Sequence, residues 1–106
     1  MKAIVVGPDE DGLTDALEAE GVEVTRIEEL GTRPALEEAG ITDADALVLT
    51  LAAGATAIPV AKDLNDDVRV VVYAGDDLPD FARGQADFIV DPRLLSAQAV
   101  AEELAG

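Results

Sequence analysis

The chain has no cysteine and no histidine. Without thiols or imidazoles it has no disulfide, no thiolate nucleophile, no Ser-His-Asp triad, and almost none of the ligand sets that hold zinc or haem. Bases are scarce too, with 7 Lys plus Arg against 23 Asp plus Glu and a formal net charge of −16. Polyanion binding draws on Lys and Arg for counterion release, so neither nucleic acid nor an anionic membrane surface is expected as a partner. Aromatics are limited to Tyr73, Phe81 and Phe88. In a chain this poor in bases, Tyr73 and Phe81 are expected to pack in the core or at its rim rather than to stack on bases. The longest uncharged run, Ala46 to Ala61, is 16 residues broken by Gly54 and Pro59, short of the ~20 apolar residues of a membrane helix. Lys2 leads into a strand-like run and then Asp9, Glu10 and Asp11, which is no secretory signal, and a cytoplasmic location is expected.

What is present is a packed core under an acid coat. At 106 residues and 49% hydrophobic, residues 1–106 are read as one domain that buries roughly 60–70% of its unfolded surface. Its 19 Ala and only two Lys, Lys2 and Lys62, suggest a salt-adapted protein. Molar salt shortens the Debye length to ~3 Å and removes most of the self-repulsion. An acidic mesophile surface is the plainer alternative.

Five short apolar runs alternate with five helical patterns, the rhythm of an α/β domain with a parallel sheet. The runs are Lys2–Val6, Val22–Ile27, Ala46–Thr50, Val68–Tyr73 and Ala86–Val90. The last three read as strands buried on both faces, whereas Glu23, Thr25 and Arg26 interleave the second and make it an edge strand. Leu13, Ala16 and Leu17, then Leu36 and Ala39, then Ile58, Ala61 and Leu64 give three helical faces. Pro79 and Asp80 open a short fourth helix, and a closing helix is expected over Leu94–Leu104. Right-handed crossovers favour a doubly wound, Rossmann-like, five-stranded parallel sheet of order 2-1-3-4-5, with ligands at the carboxyl rim between the first and third strands.

The stretches "AGITDADALVLT" (Ala39–Thr50), "ATAIPVAKDLNDDVRVVVYA" (Ala55–Ala74) and "ADFIVDP" (Ala86–Pro92) resemble the second half of a TrkA-N/RCK domain. That family is an NAD-binding Rossmann module that regulates potassium channels and transporters. The resemblance covers residues 39–92 well and residues 1–28 in outline, in a truncated stand-alone form like small haloarchaeal proteins. Gly7 and Gly12 match the outer glycines of the family's phosphate loop, but Asp9 stands at the middle one. A carboxylate ~4 Å from a phosphate costs roughly 4 kcal/mol at an effective dielectric of 20. The family's extra helix and strand after the second strand are also missing, because Glu28-Glu29-Leu30-Gly31-Thr32 runs directly into Arg33–Gly40. Glu28, 21 residues after Gly7, keeps the place of the family's ribose-binding acid.

Gly7, Asp9, Gly12, Glu28 and Thr50 therefore form the candidate cofactor-binding set for an adenine nucleotide. Glu28 is otherwise one more surface carboxylate. Asp9 and Asp11 either complement the dipole of the helix that Leu13 opens or bind a hard divalent cation with Glu28 or Asp76. The uncharged loop Leu51-Ala52-Ala53-Gly54 is either an interface or a leucine folded back on its own core, and that loop and the closing helix, Leu94–Leu104, are the two surfaces through which association is expected. Receiver domains share the strand order, but Thr50 and Leu51 stand where a receiver's phosphorylatable Asp belongs, and Val90-Asp91-Pro92 brings no Lys; phosphoryl relay is not expected. The resemblance implies a non-enzymatic nucleotide-sensing or regulatory domain that works as a homodimer or with a protein partner. The alternatives are an accessory subunit of nucleotide metabolism and an interaction domain without a ligand.

Overall fold

The computed structural model describes residues 1–28 and 31–105; Glu29 and Leu30 of the shortened connection lie outside them. Strands β1 (Lys2–Val6), β2 (Glu23–Ile27), β3 (Ala46–Leu49), β4 (Arg69–Tyr73) and β5 (Phe88–Val90) alternate with helices α1 (Leu13–Ala19), α2 (Arg33–Ala39), α3 (Ala57–Leu64), α4 (Asp80–Gln85) and α5 (Ala97–Ala105). All pairings are parallel and the order is β2-β1-β3-β4-β5. The sheet is thus the doubly wound α/β arrangement that the sequence rhythm predicts.

Side-chain alternation divides the core into two layers. Ile4, Val6, Leu47, Leu49, Val70 and Val72 face Leu36 of α2, Ile58 and Ala61 of α3 and Ala82 of α4. Ala3, Val5, Ala46, Val48, Val71 and Tyr73 face Leu13 and Leu17 of α1 and Val100, Ala101 and Leu104 of α5. No polar or charged residue is buried among the described residues, so the core is held by apolar packing. α2 ends at Gly40 with φ 88°, a left-handed cap that glycine adopts without strain. The Asn65 amide donates to the carbonyls of Ile41 and Ala44 at 2.8 and 2.9 Å and ties the turn after α3 to the entry of β3.

β2 is the edge strand that its polar interleaving indicates. β5 is not the doubly covered strand expected. It is three residues long and lies at the opposite edge, where Phe88 is 48% and Ile89 51% exposed. A strand with only one neighbour and short flanking helices gains no second cover, and a continuous apolar run does not distinguish that case from a central strand. The closing helix also starts later than expected, at Ala97. Asp91 folds the preceding segment into a turn by accepting from the amides of Arg93, Leu94 and Leu95. Ser96 then caps the helix by accepting from Ala99 N at 3.1 Å.

Candidate functional site

The carboxyl ends of β1 and β3 meet at the switch point, closed by a tight contact between Gly7 and Thr50. Gly7 has φ 113°, and a Cβ there would collide with the Thr50 hydroxyl; that hydroxyl instead donates to Val6 O at 3.3 Å. Arg26 Nη2 donates to Gly7 O at 2.7 Å and fixes the loop's first peptide from the β2 side. Glycine at this position thus serves a positive φ and a close approach within the protein.

Asp9 turns inward. Its Oδ1 accepts from Leu13 N at 2.7 Å and its Oδ2 from Thr14 N at 3.0 Å, at the start of α1. Gly12, at the cap position with φ 75°, has no side chain to serve those amides, so the carboxylate three residues earlier does. Burial opposes its charge, but the hydrogen bonds from Thr14 and Leu13 and the nearby Arg26 outweigh that and hold its carboxyl below the ordinary range. The amides that would receive a phosphate in a nucleotide-binding loop are occupied by the protein's own anion. Asp11 is exposed, and its charge acts on Tyr73, whose phenol pKa is raised by burial first and by Asp11 second. Among the described residues no three acidic side chains converge on a point that would hold a metal ion, and Asp76 accepts from Ala52 N at 3.3 Å.

Of the expected cofactor residues, Gly7 and Glu28 come together. They line a cavity of about 250 Å³ with Val6, Pro8, Leu51, Ala53 and Gly54. Thr50 lies beneath it against Gly7, and Asp9 and Gly12 stand aside at α1. Leu51 is exposed at the cavity mouth rather than folded into the core, while its neighbour Ala52 is buried. Among the described residues the cavity wall is largely apolar, with Glu28 its one charge.

A second surface centres on β5 and runs into Leu94 and Leu95, the start of the closing stretch expected as an association surface. Among the described residues the exposed large hydrophobics are Met1, Leu51, Phe81, Phe88, Ile89, Leu94 and Leu95; five of these seven lie between positions 81 and 95, around β5. Phe81, expected to pack, is half exposed on α4. Charge follows the same boundary: residues 81–101 hold Arg83, Arg93, Asp87 and Asp91, a balance of zero, so the whole −16 belongs to the other 85 residues. A running tally of charge along the sequence gives this signal without a structure. The backbone beneath these side chains is tied down. Tyr73 OH donates to Leu95 O at 2.9 Å, and Asp91 pairs with Arg93 at 2.7 Å, holding the Asp91 carboxyl at about 2. At the start of β5, Asp87 accepts from Val70 N at 2.7 Å and from Lys62 Nζ at 3.2 Å. Burial there is outweighed by those bonds and by Lys62 and Arg69, and its carboxyl is lowered.

Known proteins share the fold. HP1043, an orphan response regulator of H. pylori, aligns with a TM-score of 0.76 at 15% identity, over 98% of this chain and 92% of that one. A Burkholderia pseudomallei response regulator with a phosphorylated aspartic acid, calcium ion and citrate aligns at 0.65 and 22%, over 97% and 69%. The sugar isomerase domain of an RpiR transcription factor from Sphaerobacter thermophilus aligns at 0.63 and 18%, over 98% and 67%. Two such different functions on one scaffold mean that the likeness carries the fold alone. No curated protein matches by sequence. Residues 3–104 match the profile of DUF7126, a family of unknown function, and the chain belongs to that family.

Proposed function

We propose that this chain is a non-catalytic regulatory module that acts by protein association through its β5 edge, with the switch-point cavity as its ligand-sensing site. The observation that carries the reading is the coincidence of exposed apolar side chains with charge neutrality at β5. Solvent exposure of Phe88, Ile89, Leu94 and Leu95 costs solubility, and an otherwise acid-coated protein has no reason to spare that edge its charge unless another surface covers it.

Support for a nucleotide at the cavity is the place of Glu28, which the resemblance to TrkA-N domains assigns to ribose hydroxyls. With the α1 amides occupied by Asp9, the favoured ligand is an uncharged or singly phosphorylated adenosine rather than a dinucleotide. Thr50 in place of a phosphorylatable Asp and the absence of Lys after β5 favour association over phosphoryl relay.

The association reading is tested by a photoreactive residue at position 88 in the host cell, with position 18 on α1 as control. A discrete adduct from 88 and none from 18 is expected. No adduct from 88, or the same smear from both positions, refutes the reading.

A further inference from the structure

Leu94 is 82% exposed, more than any other large hydrophobic among the described residues. The backbone turn that carries it is held by the hydrogen bonds to Asp91 and by Tyr73. On the other side of β5 lies an apolar groove of about 300 Å³ between the strand and α5, walled by Val71, Phe88, Leu95, Val100 and Leu104, with Glu103 at its edge. An apolar knob and an apolar groove thus flank one strand edge.

We infer that the partner at this edge is a second copy of the chain, with Leu94 of each copy seated in the β5–α5 groove of the other around a two-fold axis near β5. The inference rests on the association reading above and adds the identity of the partner. Charge selects it. A copy of this chain brings another −16, so like bodies meet at least cost where charge is sparse, and residues 81–101 sum to zero with Glu103 the one acid at the groove edge. Near a two-fold axis each residue faces its own counterpart, which forbids a charge there and suits Phe88 and Ile89. Off the axis, Arg93 and Asp91 are already paired within each copy and Asp87 is held by Lys62, which leaves Arg83 as the cation open to a carboxylate of the other copy. Arg83 has no ion-pair partner among the described residues of its own chain. Because knob and groove share one edge, the contact is reciprocal and closes as a dimer instead of propagating as a fibre.

Sedimentation equilibrium of the full chain in molar KCl tests this. The parent is expected to dimerise, and Leu94→Asp to weaken the dimer by about a hundredfold or more. Leu94→Lys should lose only about tenfold, because its ammonium meets the partner's Glu103, and Glu103→Lys added to Leu94→Asp should recover about tenfold or more. Circular dichroism melts at dilution check folding, and unchanged midpoints are expected for a side chain this exposed. A parent that sediments at 11.0 kDa at every concentration overturns the inference. So does a Leu94→Asp variant that dimerises like the parent, or a double variant with no recovery. If the parent is monomeric while position 88 still gives a discrete adduct of another mass in cells, the second-copy inference fails and the association reading stands. If neither is seen, both fail.

Discussion

Replacing Asp9 with alanine removes both acceptors from the start of α1, the hydrogen bonds of 2.7 and 3.0 Å to Leu13 N and Thr14 N. Loss of a capping side chain costs about 0.5–2 kcal/mol, and loss of its charge at a helix start adds roughly 0.3–1 kcal/mol. Gly12 offers no substitute acceptor, so a loss of about 1–2 kcal/mol is expected, or roughly 4–16 °C in midpoint for a chain of this size. Asp9→Asn keeps one acceptor oxygen and should lose about half as much. The assay is thermal melting by circular dichroism in molar KCl, repeated from pH 7 downward. The folded-state carboxyl lies below its ordinary value. Its contribution is therefore complete above the unfolded pKa of about 4 and disappears as pH falls through the lower folded value. The gap between parent and Asp9→Ala should close over that acid window. If the two proteins melt together at pH 7, the carboxylate does not hold α1, and its amides are open to an external anion.

Further outcomes follow from the same geometry. With 23 acids against 7 bases, the midpoint should rise steeply from dilute buffer to molar KCl; a flat profile refutes salt adaptation. Asp87→Asn weakens the anchor to Val70 and Lys62 and should speed amide exchange at β5 while α1 is unchanged, at a cost of about 1 kcal/mol; equal exchange at both elements contradicts this role. Gly7→Ala should destabilise by about 1–3 kcal/mol in urea melts through its positive φ and its collision with Thr50, with Thr50→Ala restoring only the collision part. In calorimetric titrations with Mg²⁺, Asp9→Gly should tighten dinucleotide binding by about 1.4 kcal/mol, or tenfold, and Glu28→Gln should weaken adenosine binding. If no adenine compound binds either protein, the cavity is not a nucleotide site.

The fold was legible because its signals are periodic. Val68 to Val72 is a buried-strand run whose neighbours have no comparable alternative, and the polar interleaving at Glu23, Thr25 and Arg26 marks an edge. β5 was misread for the opposite reason. The order 2-1-3-4-5 already sets it at the edge, but "FIV" (Phe88–Val90) has the composition of a strand covered on both faces, and only the exposure of Phe88 and Ile89 shows that it is not. Leu94 and Leu95 continue the apolar spacing of α5 but belong to a turn, because Asp91 accepts the amides that would have started a helix. At the switch point, the sequence locates Gly7, Asp9 and Glu28 on one rim. It does not reveal that Asp9 faces its own helix, since a carboxylate three residues before an N-terminus reads equally as cap, cation ligand or phosphate repellent. The closing stretch from Leu94 is legible as an association surface, but the extension to Phe81, Phe88 and Ile89 shows only in the exposure of those side chains and in the charge summed along the chain.

The absence of cysteine gives the most direct measurement of the central claim, that the neutral apolar edge is covered in the working protein. A single cysteine at position 89 or, as control, at exposed Glu18 provides a unique thiol, and a membrane-permeant maleimide reports its accessibility in intact host cells and in dilute purified protein. In dilute protein both positions should label at similar rates. In cells position 89 should label more slowly by about tenfold or more while position 18 is unaffected. Equal labelling of the two positions in cells would mean that β5 meets solvent there, contradicting the account.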